Sequence, residues 1–290
     1  MTNSSDSSLS PTQQLEDLVE RALAEDLPDI TSEAIFAVDE RGTARFVAKE
    51  SGVVAGLRFP PAVFAVLDPE SRWLARKRDG DSVVPGDVIA EVSATVRALL
   101  SGERSALNFL QRASGIATAT RRYVDAVAGT RAEIFDTRKT APGLRLLDKA
   151  AVAAGGGRNH RYALHDMFLV KNNHIDRAGS ITAALERIRA TGAAQRVMIE
   201  VRDLDELSEA IATRPDFILL DNMTPAMMQS AVERVAGAIP LEASGGITLD
   251  NIRIIAETGV DRISIGALTH SVRGLDISMR VDSAPHADVT

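Results

Sequence analysis

The segment between Arg138 and Lys171 concentrates positive charge and predicts an anion-binding site. It holds seven Lys or Arg side chains against two acids, a net charge of +5, whereas the whole chain carries −7. Two cations about 6–8 Å apart repel by roughly 2–3 kcal/mol at an effective dielectric near 20. Because Asn, His and Gly are interleaved with the cations, we favour a pocket for a polyanionic small molecule over a solvated basic face. The seven cations are Arg138, Lys139, Arg145, Lys149, Arg158, Arg161 and Lys171.

Two isolated carboxylates, Glu200 and Asp221, each follow a short apolar run. A carboxylate in that position can bind a sugar hydroxyl, hold a divalent cation through oxygen, or stabilise a developing positive charge. The structural alternative is a salt bridge to a neighbouring Lys or Arg. With cations abundant nearby, both roles can coexist.

Two glycine motifs follow the last two apolar runs of the chain. They are Ser244-Gly245-Gly246 and Gly266-Ala267. Glycine lets backbone N–H groups approach oxygen atoms closely, so each motif suits a phosphate. The structural alternative is a pair of tight strand-to-helix turns.

The basic side chains differ in the chemistry that they allow. Lys171 has two interpretations, a Schiff-base lysine or a phosphate ligand. Arg138 beside Lys139 suits anion binding, since Arg supplies a planar fork and Lys a point charge.

The histidines give weaker signals. His160 lies directly before Arg161, and we expect it to hydrogen-bond a carboxylate ligand. His174 and His270 are expected to be structural or to act indirectly, although His270 is kept among the candidate substrate-binding residues. No His-x-x-His or His-Glu-x-x-His spacing occurs, so zinc is not expected.

Composition limits the class of protein. The 290 residues are enough for one large domain and a smaller one. Aromatic residues make up 4% and the net charge is negative, which argues against a nucleic-acid partner. The absence of cysteine excludes disulfides and thiolate chemistry. No apolar run is long enough to cross a membrane and the first residues lack signal-peptide features, so a cytoplasmic enzyme is expected.

The first half of the chain predicts an α+β domain. A helix is expected over 13–25, after a disordered tail. Strand-like patterns run from Arg41 to Val96, with a helix over Phe59–Leu67 and turns at Arg41-Gly42, 79–81 and 85–87. A long helix is expected from an N-cap at Ser101 through Val127.

After Thr130, strands and helices alternate, which predicts a parallel sheet with helices outside it. N-caps are expected at Ser180, Asp203, Thr224 and Thr248. Only about six strands are visible, so an open barrel is favoured over a closed one. The candidate polar residues fall at strand ends, on the face where such barrels carry their sites. The predicted strands are 134–135, 167–170, 197–199, 217–220, 240–241 and 262–265.

These motifs together resemble the quinolinate phosphoribosyltransferase family, the carboxylating nicotinate-nucleotide pyrophosphorylases. The resemblance covers about residues 15 to 282. Ala163 stands where the family usually has Gly, and Asn172 stands where it often has Asp, which removes one negative charge beside Lys171. The matching motifs are ERSALNFLQRASGIAT (103–118), DTRKTAPGLR (136–145), KAAVAAGGGRNHRYALHDMFLVKNNHI (149–175), IEV (199–201), LLDNM (219–223), EASGGI (242–247) and GVDRISIGALTHS (259–271).

The resemblance implies an N-terminal α/β open sandwich joined to an incomplete parallel α/β barrel. Its boundaries would be a tail over 1–14, the sandwich over 15–115, the barrel over 116–272 and a returning segment over 273–290. Family members are homodimers, or assemblies of dimers, in which one subunit covers the barrel mouth of the other. Arg104 would therefore enter the neighbouring site.

The implied reaction converts quinolinate and phosphoribosyl pyrophosphate to nicotinate mononucleotide, pyrophosphate and carbon dioxide in the biosynthesis of NAD. The partners implied are these small molecules, with no nucleic acid and no membrane. By the resemblance, Arg138, His160, Arg161 and the neighbour's Arg104 would hold quinolinate. By the same resemblance, the catalytic residues would be Lys139, Lys171, Glu200 and Asp221. Glu200 and Asp221 would also hold Mg²⁺. The remaining residues assigned to substrate binding are Thr137, 244–246, Ile265, Gly266, Ala267 and His270, together with the four catalytic residues.

Three alternatives stay open at this point. One is a related phosphoribosyltransferase of the same fold, acting on nicotinate or associated with molybdenum transport. Another is a Schiff-base lyase that uses Lys171. The third is a sugar-phosphate-binding module without catalysis.

Overall fold

The computed structural model describes residues 10–282, which form two compact units. The first unit contains the described residues up to Ala119, the segment Ala141–Gly155 and the described residues from Ser271 onward. The second contains Thr120–Thr140 and Gly156–His270. The segment 141–155, which the predicted boundaries place in the barrel, thus belongs to the first unit. Among the residues described, no helix has the length and apolar character to cross a membrane.

The first unit is built on a four-stranded antiparallel sheet with the order β12-β1-β5-β3. On β1, Ala44, Phe46 and Ala48 are buried on one face. The predicted α+β character is confirmed. Its elements are α1 (Pro11–Ala24), α2 (Ile30–Ile35), β1 (Arg41–Ala48), β2 (Gly52–Val53), α3 (Phe59–Leu67), β3 (Arg72–Ala75), β4 (Ser82–Val83), β5 (Val88–Thr95), the start of α4 (Val96–Ala126), α5 (Arg145–Ala154) and β12 (Ile277–Val281).

Two local predictions in this unit differ from the structure. Helix α1 begins at Pro11, inside the predicted tail, because Ser10 and Gln13 form a reciprocal capping box. The predicted turn at Arg41-Gly42 lies within β1. Residues 1–9 of the tail and residues 283–290 lie outside the described part of the chain.

The long helix α4 begins before the predicted cap. Its first residue is Val96, and the Thr95 hydroxyl accepts the Ala98 N–H at 3.3 Å. The Ser101 hydroxyl instead donates to Asp29 Oδ2 at 3.0 Å. The N-cap prediction for Ser101 is therefore wrong, because β5 runs directly into the helix. Arg104 consequently lies beyond the first turn of α4.

The second unit contains a six-stranded parallel sheet with the order β6-β11-β10-β9-β8-β7. Strands β6 and β7 are the two edges, so the sheet is an open barrel, as predicted. All six predicted strands are confirmed. The elements are β6 (Glu133–Phe135), β7 (Phe168–Val170), α6 (Asn172–Ala178), α7 (Ile181–Ala190), β8 (Val197–Val201), α8 (Leu204–Thr213), β9 (Phe217–Asp221), α9 (Pro225–Val235), β10 (Leu241–Ser244), α10 (Ile252–Glu257), β11 (Arg262–Ser264) and α11 (Ala267–His270).

Local capping sets where most of these helices begin. The side chains of Ser180, Asp203 and Thr224 accept N–H groups of the first turn of α7, α8 and α9, which confirms three predicted N-caps. The fourth prediction is wrong. The Thr248 N–H donates to Asn251 Oδ1 at 2.8 Å in a turn, and α10 starts only after Asn251.

The inner face of the sheet is packed with apolar side chains below its carboxyl edge. Met198, Phe217 and Leu219 form a buried cluster, against which Met167 and Leu169 pack. This packing fixes the register of neighbouring strands. The polar residues that follow the apolar runs therefore emerge at one edge.

Candidate active site

The polar residues predicted at strand ends do lie at the carboxyl edge of the parallel sheet. Asp221 and Ser244 are the last residues of β9 and β10, and they are register partners. Glu200 is the next-to-last residue of β8. Lys171 directly follows β7, and the segment 136–139 directly follows β6. Gly266 and Ala267 come just after β11, so the predicted alignment of six strand ends is confirmed.

Lys171 and Glu200 form an ion pair at this edge. Lys171 Nζ lies 2.9 Å from Glu200 Oε2, and the Asn172 N–H donates to Glu200 Oε1 at 3.3 Å. The Glu200 side chain is buried, whereas the Lys171 side chain is 51% exposed. The ammonium can therefore reach a ligand while it remains paired. An ammonium held by a carboxylate suits anion binding better than Schiff-base chemistry, which requires the neutral amine.

His174 has the structural role that was expected. Its Nδ1 accepts the Lys171 N–H at 2.9 Å, at the start of α6. This bond fixes the backbone from which the Lys171 side chain extends.

His160 is held by groups inside the unit. Its backbone N–H donates to the buried Asp136 carboxylate at 2.7 Å, and its Nδ1 accepts the Arg161 N–H at 2.8 Å. The other ring nitrogen, Nε2, lies 3.6 Å from Glu242 Oε1. Because Nδ1 accepts a backbone proton, only Nε2 can carry the proton of the neutral ring. His160 thus orients the turn that carries Arg161.

Arg161 and Arg138 lie close enough to influence each other. Burial lowers the pKa of Arg161, the positive charge of Arg138 lowers it further, and Asp166 opposes both. Arg161 Nη1 donates to the Met167 carbonyl at 3.0 Å. Two neighbouring guanidinium groups form the kind of site that binds a dicarboxylate.

Lys139 is positioned by the turn after β11. The Thr269 hydroxyl donates to the Lys139 carbonyl at 2.8 Å, and the Lys139 N–H donates to Thr137 Oγ1 at 3.0 Å. A Cβ on Gly266 would lie 2.8 Å from Lys139 Cδ and 3.2 Å from His270 Cδ2. A side chain at Gly266 would therefore displace the Lys139 stem and crowd the His270 ring.

The turn after β10 has a left-handed backbone at both of its glycines. Gly245 has φ +100° and Gly246 has φ +61°, and residues other than glycine rarely adopt these backbone conformations. Asn222, directly after β9, also has a positive φ of 54°. Its N–H donates to the Ser244 carbonyl at 2.9 Å, and its Nδ2 donates to Asp221 Oδ1 at 3.1 Å.

The two carboxylates match the donor set of a divalent cation that is shared with a phosphorylated substrate. Asp221 accepts a hydrogen bond from Asn222, and Glu200 accepts two, so carboxylate oxygens of both residues are held at this edge. Mg²⁺ is typically held by one or two carboxylates plus substrate phosphates. Over residues 10–282, no cluster of three or more His, Asp or Glu side chains forms a complete metal site.

The structure does not gather all seven cations of the 138–171 segment. Arg145 and Lys149 belong to α5 in the first unit. Arg158 pairs with Glu133 at 3.0 Å, at the amino end of β6. Cations that are near in sequence thus lie on different elements, and Arg145, Lys149 and Arg158 are not among the residues assigned to the site. Arg138, Lys139 and Lys171 follow the carboxyl ends of β6 and β7, and Arg161 lies in the loop before β7, near enough to Arg138 for their charges to interact. Arg104 lies on α4 within the first unit, and its side chain is exposed.

Glu242 is a residue of the site region whose role the sequence analysis did not predict. It is fully buried on β10, and its two carboxylate oxygens lack a hydrogen bond of normal geometry within the described chain. Burial raises the pKa of Glu242 to about 7; Asp136 adds to the rise, while Ser264 and Arg262 oppose it. The sequence feature that could have revealed this role is an acidic residue between the apolar residues Leu241 and Ala243.

Comparison with known proteins agrees with this geometry. The family models of the quinolinate phosphoribosyl transferase C-terminal and N-terminal domains match residues 116–280 and 29–114. A probable nicotinate-nucleotide pyrophosphorylase [carboxylating] of Bacillus subtilis is 44% identical, with 92% of this chain and 93% of the relative covered. A nicotinate-nucleotide pyrophosphorylase [carboxylating], chloroplastic, of Arabidopsis thaliana is 41% identical, over 94% of this chain and 84% of the relative.

A solved structure gives the same answer. NadC from Streptococcus pyogenes superposes with a TM-score of 0.89 at 40% identity, covering 95% of this chain and 98% of the other. Both family models together span nearly all of the described residues. The chain therefore belongs to the quinolinate phosphoribosyl transferase family.

Proposed function

We propose that this protein transfers a phosphoribosyl group to quinolinate and releases carbon dioxide, and so makes nicotinate mononucleotide for the biosynthesis of NAD. The observation that carries the proposal is the combination at one sheet edge. Basic side chains for two polyanions, two carboxylates and two glycine turns follow neighbouring strands there. Membership of the family supports the same activity.

Arg138 and Arg161 would bind the two carboxylates of quinolinate. Two guanidinium groups can each make paired hydrogen bonds to a carboxylate. His160 would keep Arg161 in place through the contact between its Nδ1 and the Arg161 N–H. Its earlier assignment as a direct ligand stays a prediction.

Phosphoribosyl pyrophosphate would occupy the adjoining strand ends. Lys139 and Lys171 would neutralise its pyrophosphate, with Thr137 and His270 beside them. Glu200 and Asp221 would accept the ribose hydroxyl protons. The turns over 244–246 and 265–267 would donate backbone N–H groups to the 5′-phosphate.

The chemistry would need no covalent enzyme intermediate. The ring nitrogen of quinolinate attacks the anomeric carbon as the bond to pyrophosphate breaks, and the leaving group takes the electron pair. The positive nitrogen then stabilises the electron pair that is left at the adjacent carbon when carbon dioxide departs. That carbon takes up a proton from water in place of the lost carboxylate. The protein contributes positioning and electrostatic stabilisation of the developing charges.

Mg²⁺ is proposed as the cofactor, held by Glu200 and Asp221 together with the substrate. When bound, it would neutralise charge on the leaving pyrophosphate. A homodimer, in which Arg104 of each protomer completes the quinolinate site of its partner, is also proposed. The exposure of Arg104 supports that role. A higher assembly of dimers and a cytoplasmic location stay predictions.

The decisive test is carbon dioxide release from quinolinate labelled in its 2-carboxylate, with phosphoribosyl pyrophosphate and Mg²⁺. Release in proportion to pyrophosphate is expected. The matched control replaces quinolinate by nicotinate and keeps phosphoribosyl pyrophosphate and Mg²⁺. Pyrophosphate release with nicotinate but not with quinolinate would favour a nicotinate-type enzyme. Borohydride trapping of a ligand on Lys171 would support the lyase, whereas binding without turnover would indicate a non-catalytic module.

A further inference from the structure

Asn222 adopts a left-handed backbone conformation that helix capping does not explain. Three non-glycine residues within 10–282 have a positive φ: Arg214, Asn222 and Ala236. Arg214 and Ala236 are left-handed C-caps of α8 and α9, where this conformation is common. Asn222 instead follows a strand, next to Asp221. A strained residue held at a candidate site is a reason to look for a role.

The amide nitrogen and the amide oxygen of Asn222 contact two neighbouring parts of the site. Its Nδ2 donates to Asp221 Oδ1 at 3.1 Å. Its Oδ1 lies against the Gly245 backbone, where a Cβ on Gly245 would be only 2.1 Å away. Its N–H donates to the Ser244 carbonyl at 2.9 Å. One residue thus connects the end of β9 to the turn after β10.

We infer that Asn222 is a positioning residue that holds the Asp221 carboxylate at a fixed spacing from the 244–246 turn. The inference rests on the proposed function and deepens it. Asp221 is proposed to bind the ribose hydroxyls, and the turn to bind the 5′-phosphate. The ribose joins those two groups covalently, so both contacts form together only if the two protein groups keep the matching separation.

The amide suits this task better than similar side chains. Aspartate in its place would set a second carboxylate against Asp221 and would remove the donor. Glycine would accept the positive φ but lose both side-chain contacts. Asn222→Gly therefore separates the backbone requirement from the side-chain requirement, and it is expected to fold.

The test uses the full chain and two probes, ribose 5-phosphate and inorganic phosphate, whose binding is measured by calorimetry. Ribose 5-phosphate needs both subsites at once, whereas phosphate needs only the turn. Asn222→Gly should weaken ribose 5-phosphate by about ten- to a hundredfold, the range for loss of a hydrogen bond to a charged group. Phosphate binding should change less than about twofold. Asn222→Asp should weaken ribose 5-phosphate at least as much, through repulsion of Asp221.

Arg214→Gly is the matched control, because it also replaces a left-handed residue by glycine in the same unit. It should leave both affinities unchanged. Wild-type affinity of Asn222→Gly for ribose 5-phosphate would overturn the inference. Equal weakening of both probes would also overturn it, since that result means local collapse of the turn.

A kinetic measurement separates this inference from the proposed function. In Asn222→Gly, the KM for phosphoribosyl pyrophosphate should rise and the KM for quinolinate should stay near the wild-type value. If the wild-type protein releases no carbon dioxide, the proposed function fails, while the result with the two probes still decides the role of Asn222.

Discussion

The charged side chains at the two ends of the parallel strands in the second unit have different partners. At the amino ends, Arg158 pairs with Glu133 at 3.0 Å, and Arg262 stacks over the Phe217 ring with 3.9 Å between its guanidinium carbon and the ring centre. At the carboxyl ends, Lys171 pairs with Glu200 at 2.9 Å but stays half-exposed, whereas the exposed Lys139 ammonium makes no ion pair with any described residue. Positive charge left without an acid attracts an anionic ligand.

The backbone conformation and hydrogen bonding also differ between the amino and carboxyl ends of the strands. At the amino ends, Asp216 and Asp261 accept the N–H groups of Val197 and Leu241 at 2.7 and 2.8 Å, so the strand starts are tied down. The carboxyl ends carry the left-handed residues Asn222, Gly245 and Gly246. One end of the sheet thus contributes stability, and the other keeps hydrogen-bonding groups and strain for the ligand.

The comparison predicts that arginines at the two ends will respond differently to removal. Arg161→Ala should weaken quinolinate binding by roughly 2–5 kcal/mol, with a far smaller effect on phosphoribosyl pyrophosphate. Arg158→Ala, the control at the amino end, should leave both affinities near the wild type. Titration calorimetry of each ligand measures this. Equal losses for both ligands in Arg161→Ala would contradict its assignment to quinolinate.

Glu242 tests the electrostatic side of the comparison. Its pKa of about 7 in the folded state, against an ordinary 4.5, means that the folded protein holds the proton more tightly. The folding free energy that this group contributes is present below pH 4.5 and is lost as pH rises towards 7, by up to about 3 kcal/mol.

Glu242→Gln should therefore show a smaller fall in unfolding free energy between pH 5 and pH 8 than the wild type. Urea denaturation at several pH values gives the comparison. Glu233→Gln, at an exposed glutamate on α9, is the control and should follow the wild-type profile. Parallel profiles for Glu242→Gln and the wild type would show that the buried carboxylate does not titrate in this window.

A pair of glycine substitutions tests the strained turn. Gly245 and Gly237 both have positive φ, but a Cβ would collide with Asn222 only at Gly245, while Gly237 has open space. Gly245→Ala should lower the unfolding free energy by about 1–3 kcal/mol more than Gly237→Ala, since only the first forces a side chain to move. Thermal unfolding of both variants measures the difference, and equal losses would mean that Asn222 moves aside at no cost.

The smallest effect is expected for the ion pair at the amino end. Arg158 and Glu133 are both largely exposed, so Arg158→Gln should cost about 0–1 kcal/mol of stability. Because exposed pairs are screened, that cost should shrink in about 1 M salt. Denaturant unfolding at low and high salt checks this, and a cost that persists in salt would show that packing of the arginine stem matters more than its charge.

Much of the second unit was predictable because its signals are local. Six apolar runs became six strands, and Ser180, Asp203 and Thr224 capped helices as expected, since capping involves residues only two or three positions apart. The failed predictions had nonlocal causes. Ser101 does not cap α4, because β5 extends into that helix, and its hydroxyl bonds to Asp29, far away in sequence.

The amino-acid sequence alone determined the inventory of this protein: which charges, glycines and carboxylates follow apolar runs, and hence an open parallel barrel with an anion site at its carboxyl edge. Only the tertiary structure decided which partner each charged group received. Arg158 was removed from the site by Glu133, Glu242 was buried beneath His160, and Asn222 was placed between Asp221 and Gly245. Those pairings depend on which strands become neighbours, and strand order brings together residues that are distant along the chain.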